Sequence, residues 1–326
     1  MNAPITAPRP DISHPATAAI AKEAKHYIAH RPPYPESMWE LWTNYHQGPL
    51  TSAHDIGAGS GNGAEGLLTH TSSPPLKHVV LTEPQEVNIK DCVTRFHNRF
   101  PDTSFAYRNC RGEDPWSPPA GLAHVDFVMA CESLHWTSLE PTLDNIANSL
   151  REDGTFAAVL YGPFPAITNS APANAAFKAF LADHAARLLR QDWMNENWKR
   201  AARQMFHGME CVALRDEVWK DVKRIAINCR NGWYAKDYEP LEGTADPVGH
   251  LGTCERIAVD DSKDWQISAS VEWLKQSLQS MRFGFSEESW ASPHWQAIEH
   301  EMGDGALELE WQVQMILARR RGPDDS

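Results

Sequence analysis

Asp55 is followed by four glycines in seven residues: Gly57, Gly59, Gly61 and Gly63. Glycines at this spacing let a backbone turn tightly beneath a small molecule. A triphosphate loop needs GxxxxGK[ST], and no lysine occurs between Lys25 and Lys77. The dinucleotide pattern GxGxxG can be traced through Gly61, Gly63 and Gly66. It starts five residues past Ile56, whereas that fingerprint sits at the strand's edge. Started at Gly57, its third position falls on Asn62. An acid ahead of the glycines is unfavourable beside phosphates. It is favourable beside a cationic amino group or a sulfonium. A second acid, Glu83, lies 22 residues after Gly61, where an acid can accept both ribose hydroxyls of an adenosine. Nucleoside, ribose and cation together point to S-adenosylmethionine.

The other reactive residues are few. His135, in ESLHWTS (132–138), is expected at the end of a central strand, where ligands bind in open α/β sheets. It is the candidate general base, with a positional or packing role as the alternative. Methyl transfer from a sulfonium asks the protein mainly to align the reacting atoms. Only a protonated nucleophile also needs a base. The six cysteines form no CxxC pair, and the 15 histidines include no HExxH, so no metal site is expected.

These residues need a frame. A strand over 51–56 delivers Asp55, and EGLLTH (65–70) begins the helix after the loop. Further strands are expected over 78–83, 103–109, 125–131 and 154–162, with helices over 87–100 and 139–153. Gly154 is expected to end the latter helix at C′. This alternation argues for a doubly wound parallel sheet. Helices are expected over 16–30, stopped by Pro32 and Pro33, and over 34–45. After the fifth strand the pattern changes. Residues 172–210 read as helical, with Phe177, Leu181, His184 and Leu188 on one stripe. A strand is expected at 222–229, a surface excursion over 231–265, and helices at 270–281 and 292–302. Leu307, Leu309, Trp311, Val313, Met315 and Leu317 alternate strictly, which predicts one strand with one buried face.

Composition narrows the function. The net charge of −13 argues against nucleic-acid or anionic-membrane partners. No run of about 20 apolar residues predicts a membrane span. The N-terminus lacks the pattern of a secretory signal, so a cytoplasmic protein with reduced thiols is expected. Many of the 13 tryptophans follow the fifth strand, among them Trp198, Trp265 and Trp273. Each is a candidate for core packing, and together they favour an organic, partly apolar acceptor.

The chain resembles class I S-adenosylmethionine-dependent methyltransferases, and within them the trans-aconitate-methyltransferase-like group of fungal small-molecule enzymes. HYIAHRPPYP (26–35), DIGAGSG (55–61), ESLHWTS (132–138) and SLREDGTFAAVLYG (149–162) carry the resemblance, with WQVQMILARR at the end. The resemblance implies a seven-stranded, mostly parallel Rossmann-like sheet with a helical substrate lid. Four prolines in the first fifteen residues read as a disordered tail (1–15), followed by a cofactor-binding core with N-terminal helices (16–163), a lid region with one core strand at 222–229 (164–300) and a closing strand (301–326). Asp55, Gly57, Gly59 and Gly61 would line the methionine and ribose, and Glu83 would bind the ribose hydroxyls. Gly112 and Glu113 would lie beside adenine, Cys131 under the cofactor, and Tyr27 and Arg31 over its methionine end. Tyr34, Trp136 and Tyr161 are the candidates to face the acceptor, with packing beside Pro35 as the alternative for Tyr34 and a wall to the adenine as the alternative for Trp136. The implied activity is methylation of a small organic molecule, on carboxylate or hydroxyl oxygen. A cyclase or isomerase using the same cofactor, and a cofactor-sensing regulator, share these motifs.

Overall fold

The computed structural model describes residues 29–71, 75–96, 99–188, 195–230, 232–233, 252–281 and 283–323. Tyr27, most of the expected 16–30 helix, and the 1–15 segment lie outside the described residues.

Helix α1 (Glu36–Tyr45) follows Pro35 and buries Met38, Trp39 and Trp42 on one face. Strand β1 (Ser52–Ile56) leads into the glycine loop and α2 (Asn62–His70). Then come β2 (His78–Thr82), α3 (Glu86–Phe96), β3 (Ser104–Arg108) and β4 (Val125–Cys131). A 3-10 turn (Leu134–Trp136) precedes α4 (Leu139–Ser149) and β5 (Leu150–Tyr161). Beyond these lie β6 (Ala166–Ile167), α5 (Ala171–Leu188), α6 (Glu196–His207), β7 (Trp219–Ile227), β8 (Glu255–Val259) and β9 (Gln266–Ala269). The chain continues through α7 (Val271–Ser280), α8 (Glu287–Trp290), α9 (Pro293–Met302), β10 (Leu307–Glu310) and β11 (Val313–Arg320).

The main sheet runs β3-β2-β1-β4-β5-β11-β7-β8, and β11 alone is antiparallel to its neighbours. Strand order reverses between β1 and β4, which opens a crevice at their carboxyl ends. Phe127 and Met129 of β4 pack under α1 and α2, while Val128 and Ala130 pack on the opposite face. Burial on both faces explains its apolar run. Polar residues in and beside β1 find hydrogen-bond partners, although His54 Nδ1 and Asp55 Oδ1 are buried without one. Asp126 Oδ2 accepts from the backbone and hydroxyl of both Thr51 and Ser52. His54 Nε2 pairs with Thr82 Oγ1 at 2.7 Å.

Four expectations are corrected. The expected seven strands are present as β3-β2-β1-β4-β5-β11-β7, and it is the expected surface excursion that is corrected: it holds an exposed strand, β8, added at the sheet's edge. Helix α4 ends at Ser149, and Gly154 lies within β5. Residues between Leu150 and Thr155 bulge outward, since Val125 pairs with Leu150 and Phe127 already pairs with Thr155. The alternating C-terminal run is two strands: β10 joins a small sheet β6-β10-β9, and β11 joins the main one. Finally, β11 is buried on both faces, with Gln314, Ile316 and Ala318 inside as well as Met315 and Leu317. No helix among the described residues is long and apolar enough to cross a membrane.

Candidate functional site

The loop after β1 is built around Asp55. Its side chain is buried, and Oδ2 accepts from Ala64 N at 3.0 Å, in the first turn of α2. Oδ1 is buried with no hydrogen-bond partner. Burial pushes this carboxyl up to about 7; the Ala64 N–H opposes the shift and nearby Glu83 adds to it. An orphaned buried acceptor of this kind is costly until a donor meets it.

Gly57, Gly59 and Gly61 all have positive φ, at 68°, 54° and 90°. A Cβ on Gly57 would stand 2.5 Å from Ser133 Cβ, and one on Gly61 2.6 Å from Phe96 Cζ. Both sites therefore need glycine for backbone and for space. Gly59 instead faces open space. Gly59 N donates to Glu83 Oε2 at 3.1 Å, while Gln85 N and Asn88 Nδ2 donate to Oε1. The loop and the second acid thus meet on the open side of the crevice. Gly112 packs beside Ile56, and its carbonyl accepts from Asn145 Nδ2 at 2.8 Å. Glu113 Oε1 accepts from Ser138 N at 2.7 Å, tying its loop to the start of α4. The Cys131 sulfur lies 3.0 Å from the position of a Cβ on Gly63, between α2 and Asp55. Burial, with Asp55 and Glu132 nearby, raises its thiol pKa well above the ordinary value.

The second half of the site sits past β4. Ser133 Oγ donates to the Ile56 carbonyl at 2.5 Å, joining this turn to the glycine loop. His135 is buried, and burial with Arg31 close by pushes its pKa down to about 3, so its ring is neutral. Arg31 also acts on Glu132. Trp136 is 40% exposed and meets Trp198 of α6 edge-on at 4.7 Å. Gln204, its amide oriented by the two acceptors it faces, donates to the carbonyls of His135 (3.0 Å) and Thr137 (3.1 Å). Tyr34, Tyr161 and Trp265 form a ring triangle with centroids 6.2 to 6.4 Å apart. Trp219 lies away from the site, against Phe156 in the core.

Sequence reasoning does not single out Glu132 or Ser133, and it names Trp265 only among many tryptophans. Glu132 sits in the quoted ESLHWTS stretch; its signal is an acid directly after an apolar strand. Trp265 has no local signal, since it reaches the site only through the fold.

The methyltransferase-domain family model matches residues 54–158, the segment that carries β1 to β5. The chain is an S-adenosylmethionine-dependent methyltransferase. A methyltransferase of Claviceps purpurea is 26% identical over 330 residues, covering 96% of each chain. The methyltransferase AacuQ of Aspergillus aculeatus is 26% identical across 90% of this chain and 92% of its own. The Saccharomyces cerevisiae protein CRG1 carries S-adenosylmethionine-dependent methyltransferase in its name. It is 32% identical across 45% of this chain and 49% of its own. The site of this methyltransferase fits the cofactor. Asp55 Oδ1 lacks the donor that a cationic amino group supplies, and Gly59 leaves the space open beside Glu83. Among the described residues, no group of three or more His, Cys, Asp or Glu is placed to hold a metal.

Proposed function

We propose that this methyltransferase acts on an oxygen of a small organic metabolite, in the manner of the trans-aconitate-methyltransferase-like group and its secondary-metabolism relatives. Asp55 would hold the cofactor's amino group, Glu83 its ribose, and Gly112 and Glu113 the edge of its adenine. Bound there, S-adenosylmethionine supplies a methyl group activated by the sulfonium charge. The chain's own residues align the acceptor and exclude water. The observation that carries the acceptor reading is the mixed character of the crevice past β4. Three aromatic rings (Tyr34, Tyr161, Trp265) stand beside one cation, Arg31, and one acid, Glu132. Apolar walls with few convergent polar groups suit a small organic ligand. Neutral His135 is suited to orient an acceptor by hydrogen bonding.

The test is transfer of labelled methyl to a panel of small carboxylic acids, phenols and amines, with products identified by mass spectrometry. Methyl esters or ethers are expected. Transfer to amines alone would overturn the oxygen assignment.

A further inference from the structure

Glu132 takes no part in holding the cofactor, yet the fold constrains it closely. It is the first residue after β4 and has φ 55°. Five non-glycine residues among those described have positive φ, and the other four are Asp or Asn, types that tolerate left-handed backbone. A longer acid there is unusual, and such strain persists where the surroundings enforce it. Here β5 enforces it twice. Glu132 N donates to the Val159 carbonyl at 3.0 Å. Tyr161 N donates to Glu132 Oε1 at 2.5 Å. The carboxyl is thereby fixed by one oxygen across the carboxyl ends of β4 and β5. Nothing among the described residues donates to Oε2.

The groups around this carboxyl come from every side of the crevice. Arg31 faces it from the N-terminal segment, the Cys131 thiol precedes it, and His135 follows on the 3-10 turn. Strand β5 offers a backbone N–H and the Tyr161 ring, which touches Tyr34 and Trp265. We propose that Glu132 is the catalytic base, and that the acceptors are therefore neutral phenols or alcohols instead of carboxylates. The proposal rests on the oxygen-acceptor reading above. Glu132 Oε2 takes the hydroxyl proton while the acceptor oxygen's lone pair forms the bond to the methyl carbon. The carbon–sulfur bond breaks, its electron pair stays on sulfur, and the sulfonium charge is discharged. An acceptor carboxylate needs no base, and Glu132 in its ionised form would repel it.

The electrostatics agree with this geometry. Burial raises the Glu132 carboxyl to about 8, against the opposing pull of the Tyr161 N–H and of Arg31. A base poised near neutrality is suited to abstracting a hydroxyl proton. His135, pushed down to about 3, is a far weaker one.

The test compares wild type with Glu132→Gln on 4-methylphenol, 4-nitrophenol and benzoic acid. 4-Nitrophenol is far more acidic than 4-methylphenol and is substantially ionised already at neutral pH, so it needs little help. The substitution should lower kcat/KM on 4-methylphenol by about 100-fold or more and change it little on 4-nitrophenol. Wild-type kcat/KM on 4-methylphenol should rise with pH through about 8, and the variant should lose that limb. Difference infrared spectra of the S-adenosylhomocysteine-bound protein supply a readout without turnover. On acidification below about 8, a protonated-carboxyl band should appear in wild type and be missing from Glu132→Gln. Unchanged S-adenosylhomocysteine affinity in calorimetry would establish that the variant is folded. Equal losses on both phenols, or an infrared titration unaffected by the substitution, would overturn the proposal. Transfer to benzoic acid alone would overturn it while sparing the oxygen reading. Transfer to none of the three, nor to any oxygen acceptor of the wider panel, would take both down.

Discussion

Asp55 holds a buried oxygen with no donor and a carboxyl raised to about 7. An ammonium arriving at Oδ1 favours the ionised form, so its arrival should drive a proton off. Calorimetry of S-adenosylmethionine binding near pH 6, repeated in buffers of different ionisation enthalpy, is expected to show net proton release. Asp55→Asn should abolish most of that release and weaken binding. Binding without proton exchange would mean that Asp55 is already ionised in the free protein. Glu83 is bound by two backbone N–H groups and one amide. Glu83→Ala should weaken cofactor affinity by 10-fold or more, since each lost charge-assisted hydrogen bond is worth roughly 1.5–3 kcal/mol. An unchanged dissociation constant would contradict the ribose assignment. Both acids are legible in the sequence because each ends a strand at the edge of a turn. Glu132 is less so: its left-handed backbone comes from pairing with β5 and leaves no trace in composition or period.

At the scale of elements, α1 and α2 pack so closely that a Cβ on Gly66 would stand 2.1 Å from Trp39 Cζ2. Two effects of Gly66→Ala compete. Alanine in a helix gains roughly 0.8–1 kcal/mol over glycine. Overpacking a well-filled core costs about 1–3 kcal/mol. Trp39 is fully buried, edge-on to Trp42 and stacked on His70, so it has little room to yield. The cost should win, and urea unfolding is expected to show a net loss of stability. A more stable variant would mean that Trp39 can move aside. The same closeness explains Gly66 inside α2, whereas Gly63 in its first turn is crowded by Asp55 Oδ2 and the Cys131 sulfur. Elements with an unbroken apolar run, such as β4, or a helical period, such as the body of α4, are readable from the amino-acid pattern alone. The run 306–320 is not, because alternation reports which residues face a core but not which strand they pair with. Its break at Trp311 and Gln312 moves the chain from one sheet to another without disturbing the pattern. Strand β8 is hidden for the opposite reason. It is an edge strand with charged, exposed residues, its Arg256 paired to Glu210, and such edges lack an apolar signature.

The molecule as a whole carries ionisable groups that pull its stability in opposite directions with pH. Asp55 and Glu132 are raised from ordinary values of 3.8 and 4.5 to about 7 and about 8. The folded chain then keeps protons that the unfolded chain has released. The stability they contribute is complete below about 4 and is lost as pH rises through 7 and 8. His54 and His135 are lowered from 6.5 to about 3, each chiefly by burial, and His46 and His184 move the same way. Their contribution is present above 6.5 and is lost as pH falls towards 3. Between about 4.5 and 6.5 the two sets oppose each other. Above 6.5 the carboxyls act alone. The cofactor-free protein should therefore be less stable at pH 8 than at pH 6.5, by on the order of 1–2 kcal/mol at about 1.4 kcal/mol per pKa unit. Urea unfolding across this range measures the difference. The double substitution Asp55→Asn with Glu132→Gln should flatten the curve, because neither amide can lose a proton. A decline of the same size in the double variant would assign it to general repulsion within a chain of net charge −13, and the two raised carboxyls would then have little part in it.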